Sequence, residues 1–153
     1  IPSACRQGIF KCRVTYGKQV IAVDFEAYTP KLITRLKLVD DNSFSYPYKF
    51  ADRSLLNVLR EKRGNCDDIL IVKNGLITDT SYSNIVFSDG LRWFTPAKPL
   101  LQGTMRSHLL HQDLISEADI KPSDLHRYHN ARLINAMLPL DTGNDIETIN
   151  IVY

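Results

Sequence analysis

The chain has 153 residues, 44% of them hydrophobic and 24% charged, the make-up of one ordinary globular core. Nineteen Lys and Arg against seventeen Asp and Glu leave a net charge of +2, and the basic residues are scattered, which argues against a nucleic-acid surface. No apolar run approaches the roughly 20 residues of a membrane helix, no signal segment opens the chain, and Cys5, Cys12 and Cys66 lack paired spacing; a reduced, cytoplasmic protein without a membrane partner is expected.

In chain order, residues 9–16 and 20–25 are rich in β-formers around Gly17-Lys18 and predict a hairpin. Leu32 to Val39 alternates as a third strand, where an antiparallel sheet is expected to begin. Tyr46-Pro47-Tyr48-Lys49-Phe50 is a short aromatic segment whose proline excludes a helix interior. Ser54 to Lys62 carries Leu55, Leu56, Val58 and Leu59 as a helical stripe closed by Gly64.

Ile69 to Val72 predicts a buried strand, and Asn74-Gly75 is the strongest hairpin signal in the chain, with Leu76-Ile77 opening its partner. Asp89-Gly90 marks another tight turn, returning as 91–95 before Pro96 and Pro99 force an extended connection. A helix is predicted from Met105 to Leu114, a helical turn after Pro122, an apolar strand over 133–138 and an alternating strand over 146–152. Strands and two or three helices in this order give an α+β class with a mixed or mostly antiparallel sheet.

Three segments could carry chemistry. Lys49 lies among aromatics, where an ammonium loses hydration and becomes a better nucleophile for imine formation; snorkelling to water from a surface strand is the plainer alternative. Asp79 sits in the polar run Thr78 to Asn84 between apolar Ile77 and Ile85, and needs partners if buried, although a solvated strand face is the commoner arrangement. Gly103-Thr104 opens a helix whose unpaired N–H groups suit a phosphate, or it is a plain N-cap. His108 and His111 have no supporting carboxylate, so no metal site is expected. Neither a dinucleotide nor a P-loop glycine pattern occurs.

In order and spacing, Lys49, Asp79 with Asn84, and Leu101-x-Gly103-Thr104-Met105-Arg106 resemble the class IV aminotransferase family, the fold type IV enzymes that use pyridoxal 5'-phosphate. The similarity runs from Gly8 to about Leu140, and its most specific part spans Asp67 to Phe87, Trp93 to Pro96 and Gly103 to Arg106. The resemblance implies mostly antiparallel sheets forming a pseudo-barrel with flanking helices. Residues 1–40 would be the remnant of an incomplete small amino-terminal domain and 41–153 the large cofactor-binding domain. The opening Ile1-Pro2, without Met, suits a processed product or fragment.

The same resemblance implies roles. Lys49 would hold the cofactor and move protons. Asp79 would keep the pyridine nitrogen protonated, in a position where most members carry Glu. Leu101 would pack on the ring, and Gly103, Thr104 and Met105 would hold the phosphate at the helix start. Asn135 and Ala136 would close the phosphate pocket. Asn135-Ala136 and Lys49-x-x-Asp52-Arg53 tilt the pattern toward 4-amino-4-deoxychorismate lyase, which eliminates pyruvate to give 4-aminobenzoate. Branched-chain or D-amino acid aminotransferase and a catalytically impaired relic are the alternatives. A small amino substrate and a homodimer are also implied.

Overall fold

A computed structural model describes residues 1–153, which divide into two compact units, Ile1–Lys31 and Leu32–Tyr153. In the first, a 3-10 turn at Ser3–Cys5 precedes β1 (Phe10–Tyr16) and β2 (Val20–Ala27). These strands form the expected antiparallel hairpin, with Lys11 opposite Glu26 and a register shift at Thr15/Tyr16. No residue of this unit is buried.

The second unit holds every buried core residue, arranged in two sheets and two helices. One sheet has the order β11-β3-β4-β5, with β3 at Leu36–Asp40, β4 at Asp68–Lys73, β5 at Leu76–Thr80 and β11 at Ile151–Val152. The other runs β10-β9-β6-β7-β8, with β6 at Asn84–Ser88, β7 at Trp93–Pro96, β8 at Ser116–Ala118, β9 at Asn130–Ile134 and β10 at Ile146–Glu147. Helix α1 spans Ser54–Glu61 and α2 spans Thr104–His111.

Side-chain alternation explains the layering. Leu36, Leu38, Leu70 and Val72 pack with Ile85, Phe87 and Leu133 in one cluster shared by the two sheets. On the opposite face of the first sheet, Val39, Ile69 and Ile71 meet Leu56 and Leu59 of α1. On the opposite face of the second, Val86 and Ile134 meet Leu109 of α2. Strand β4 is therefore covered on both sides and reads as an unbroken apolar run, as buried strands do. Only Leu56 and Leu59 of the expected α1 stripe face inward; Leu55 and Val58 are exposed.

Four expectations are corrected. The third strand starts at Leu36 rather than Leu32 and pairs in parallel with β4 and β11, which places it in the second unit. Helix α2 ends at His111, because Asp113 turns to φ 55 just beyond it. The strand expected over 133–138 is centred earlier, and Asn135 and Leu138 instead close a tight turn through paired backbone hydrogen bonds of 3.1 and 3.0 Å. The run over 146–152 alternates like one strand, yet a 3-10 turn at Thr148–Asn150 breaks it into β10 and β11, one in each sheet.

Candidate active site

The polar run that interrupts the apolar pattern is buried, contrary to the commoner solvated arrangement: Thr78, Asp79, Thr80, Ser81, Ser83 and Asn84 are all within the protein. Burial of so many polar groups is tolerable only if they are satisfied. Thr78 Oγ1 donates to the Ile71 carbonyl at 2.8 Å. Thr80 closes the β5–β6 turn, its amide and Oγ1 each donating to the Ser83 carbonyl at 3.0 Å while the Ser83 amide donates to Thr80 Oγ1 at 3.1 Å. Ser81 Oγ donates to Asp68 Oδ2 at 2.9 Å, and Asp68, fully buried, also accepts from Arg60 Nε at 3.2 Å. The turn is a fixed mount between the two sheets.

Asp79 stands at the end of β5, 4% exposed. Its Oδ1 accepts from Asn84 Nδ2 at 2.7 Å and its Oδ2 accepts from the Leu101 amide at 2.9 Å. Asn84 Nδ2 also donates to the Leu101 carbonyl at 2.9 Å, so one side chain clamps the acid and the 97–103 connection together. Burial pushes the Asp79 carboxyl up to about 6; hydrogen bonds from Leu101, Asn84 and Leu100 and the charge of Arg106 oppose that rise. At neutral pH the group is ionised, and each oxygen retains a further lone pair for a donor.

Gly103 is required for space. Its φ of −71° is open to any residue, but a Cβ there would fall 1.9 Å from Asn84 Oδ1. Gly103 is also the N-cap of α2, and no side chain caps that helix, so the first-turn amides of Thr104 and Met105 end the helix without an internal carboxylate. Arg106, on the same turn, is 2% exposed. Its Nη1 donates to Gln102 Oε1 at 3.0 Å and its Nη2 to the Pro96 carbonyl at 2.9 Å and Glu117 Oε1 at 2.5 Å, while Nε is buried without a partner. This buried cation locks the start of α2 to β7 and β8. The sequence marks it only as an Arg at the third position of α2, beside the Gly103 turn.

The remaining candidates gather around the same turn. Asn135 Nδ2 donates to Ser83 Oγ at 2.7 Å, and Asn135 Oδ1 accepts from the Met137 amide at 2.8 Å, which presents Ala136 at the surface. Leu101 is half-buried beside Asp79, Met105 packs with the α2 cluster, and Thr104 is exposed. Lys49 lies on an exposed loop rather than a strand, at the apex of a three-residue turn closed by the Phe50 amide donating to the Tyr48 carbonyl at 2.9 Å. Tyr46 spans the loop through Oη to the Phe50 carbonyl at 3.1 Å, with its ring against Phe44 and Phe50. The structure thus joins Asp79 to Leu101 directly and to Gly103 through Asn84, reaches Asn135 through Ser83, and ties the Lys49 loop to the same turn through Arg53, whose Nη2 donates to the Ser81 carbonyl at 2.6 Å. No cluster of His, Cys, Asp or Glu suited to a metal ion is present, and no helix is long and apolar enough to cross a membrane.

The chain is similar to known proteins in sequence and fold. The model of the amino-transferase class IV family matches residues 20–140. An uncharacterized protein of Haemophilus influenzae is 36% identical over 137 residues, covering 90% of this chain and 73% of its own. Among solved structures, a candidate 4-amino-4-deoxychorismate lyase from Haemophilus somnus superposes with a TM-score of 0.83 at 39% identity, over 88% of this chain and 70% of that one. A hypothetical aminotransferase from Mycobacterium tuberculosis, in its PLP-bound form, shares the fold with a TM-score of 0.59 at 14% identity, over 74% of this chain and 46% of that one.

Proposed function

The chain belongs to the class IV aminotransferase family, and from that premise we propose that it is a pyridoxal-phosphate enzyme acting as a 4-amino-4-deoxychorismate lyase. The observation that carries the cofactor assignment is Asp79: a buried carboxylate held on both oxygens, beside Gly103 and the uncapped start of α2. Such an acid suits a protonated ring nitrogen, and a helix start suits a phosphate. Bound pyridoxal phosphate would supply an electron sink for the carbanion formed at the substrate α-carbon.

In this reading the chain's own groups divide the work. Lys49 Nζ would hold the cofactor and would move the proton at the substrate α-carbon. Asp79 would fix the ring and its charge, Leu101 would support the ring face, and the Gly103, Thr104 and Met105 backbone with Asn135 and Ala136 would hold the phosphate end. Arg106 and Asn84 set the position of the groups that do so. The 39% identity to the candidate lyase, together with Asn135-Ala136 and Asp52-Arg53, favours elimination over transamination. The second reading, branched-chain or D-amino acid aminotransferase, is favoured by the family's general character. A cytoplasmic homodimer with a small amino substrate completes the proposal.

The test has two stages. Protein mixed with pyridoxal phosphate, reduced with borohydride and digested should carry the cofactor on the Lys49 peptide, and Lys49→Ala should carry none. Wild-type protein should then convert aminodeoxychorismate to 4-aminobenzoate and pyruvate. Keto-acid-dependent amino transfer without 4-aminobenzoate would move the assignment to an aminotransferase; a wild-type protein that never labels at Lys49 would end both.

A further inference from the structure

The segment that carries Lys49 packs chiefly through aromatic rings, that of Tyr46 lying against Phe44 and Phe50. Phe44 and Leu56 are buried, but no residue between them is. Beyond those ring contacts, the position of the Lys49 amine relative to Asp79 depends on polar ties. Arg53 supplies one: its carbonyl accepts the Asn57 amide at 2.8 Å to begin α1, and its guanidinium reaches across to the Ser81 carbonyl at 2.6 Å. The acceptor is well chosen. Ser81 lies two residues beyond Asp79, in a turn closed by Thr80 and Ser83 and pinned from below by fully buried Asp68.

We propose that Arg53 is a positioning residue that sets Lys49 against Asp79 by anchoring the Lys49 loop to the Ser81 carbonyl of the β5–β6 turn. The assignment rests on Lys49 being the cofactor-bearing amine, and it adds a residue that touches neither cofactor nor substrate. A guanidinium is suited to the task because it stays charged and its planar donors have a fixed direction, whereas an ammonium at this position is shorter and less directional. A displacement of the order of 1 Å between two groups that must grip opposite ends of one ring is enough to degrade the reaction strongly.

The experiment compares wild type, Arg53→Met, Arg53→Lys and Arg53→Gln as full chains. Three quantities are read: the pyridoxal phosphate concentration giving half-maximal borohydride labelling of Lys49, the fraction labelled at saturation, and the cofactor-free melting temperature. Arg53→Met should raise the half-maximal concentration by about tenfold or more and lower the labelled fraction, with bound cofactor remaining spectroscopically a free aldehyde. Arg53→Lys should recover part of the loss, and melting temperatures should stay within a few degrees of wild type. Should Arg53→Met not fold, Arg53→Gln is read against the same threshold. Wild-type labelling in Arg53→Met overturns the assignment, as does a loss matched by a fall in melting temperature and not rescued by lysine. Failure of wild type itself to label at Lys49 overturns the underlying reading, and this outcome is distinct because it precedes any comparison of variants.

Discussion

Asp79 is costly to bury and is arranged to remain charged. Both of its oxygens accept from N–H donors, which favours the charged form. The carboxyl nevertheless rises from its ordinary 3.8 to about 6 because desolvation outweighs those bonds. A group raised in the folded state contributes stability that is fully present below the unfolded value and is lost as pH climbs through the folded one. The interval corresponds to about 3 kcal/mol. Urea unfolding of cofactor-free wild type and Asp79→Asn at pH 4 and pH 7 should show wild type losing up to about that much relative to the variant between the two. A difference that is flat with pH would mean that Asp79 is not buried as described. Gly103 supplies a second prediction at this scale. Gly103→Ala must displace Asn84 from its bonds to Asp79 and Leu101, since the side chain is too short to yield while keeping them. A loss of about 1–3 kcal/mol in chemical denaturation is expected, with Lys49 labelling weakened in parallel.

Elements that local chemistry specifies were legible in the sequence. Asn74 and Gly75 have φ of 52° and 75°, the pair of positive angles that a two-residue hairpin of right-handed strands needs. Nothing lies within 4 Å of a Cβ built on Gly75, so Gly75→Ala should cost about 1–2 kcal/mol from backbone strain alone. The check is denaturant unfolding of Gly75→Ala beside Gly75→Asn; the latter should lose less, because asparagine tolerates this region. Elements whose identity depends on distant partners were not legible. Leu36 to Val39 is β-forming in any pairing, and only the presence of β4 and β11 on either side makes it parallel. The alternation over 146–152 carries no trace of the handover between sheets at Thr148–Asn150. The site divides the same way: Lys49, Asp79 and the Gly103 turn stand out by motif order, whereas burial of Arg106 and Asp68 depends on Glu117, Pro96, Arg60 and Ser81, which no local pattern announces.

At the scale of the whole molecule, stability is distributed unevenly between the two units. Leu36, Ile69, Leu70, Ile71, Ile85, Val86, Phe87 and Ile134 are all 0% exposed, and they lie on β3, β4, β6 and β9, the interior of the larger unit. The hairpin of β1 and β2 has no buried side chain in the 153-residue chain, and Val14, Val20, Ile21 and Val23 are exposed on it. A two-stranded hairpin taken by itself is marginal in water, because cross-strand bonds alone barely offset the entropy of ordering the backbone. Local opening of the hairpin should therefore occur far below the global unfolding free energy. Native-state hydrogen exchange of the full chain tests this directly: amides of Val14 and Val23 should exchange orders of magnitude faster than those of Leu70 and Phe87, with urea sensitivity appearing only in the latter. Equal protection across both units would show that the hairpin is covered in solution, by a second copy or otherwise. Size-exclusion and exchange measurements over a range of protein concentrations would then separate those cases, because cover by a second copy weakens on dilution.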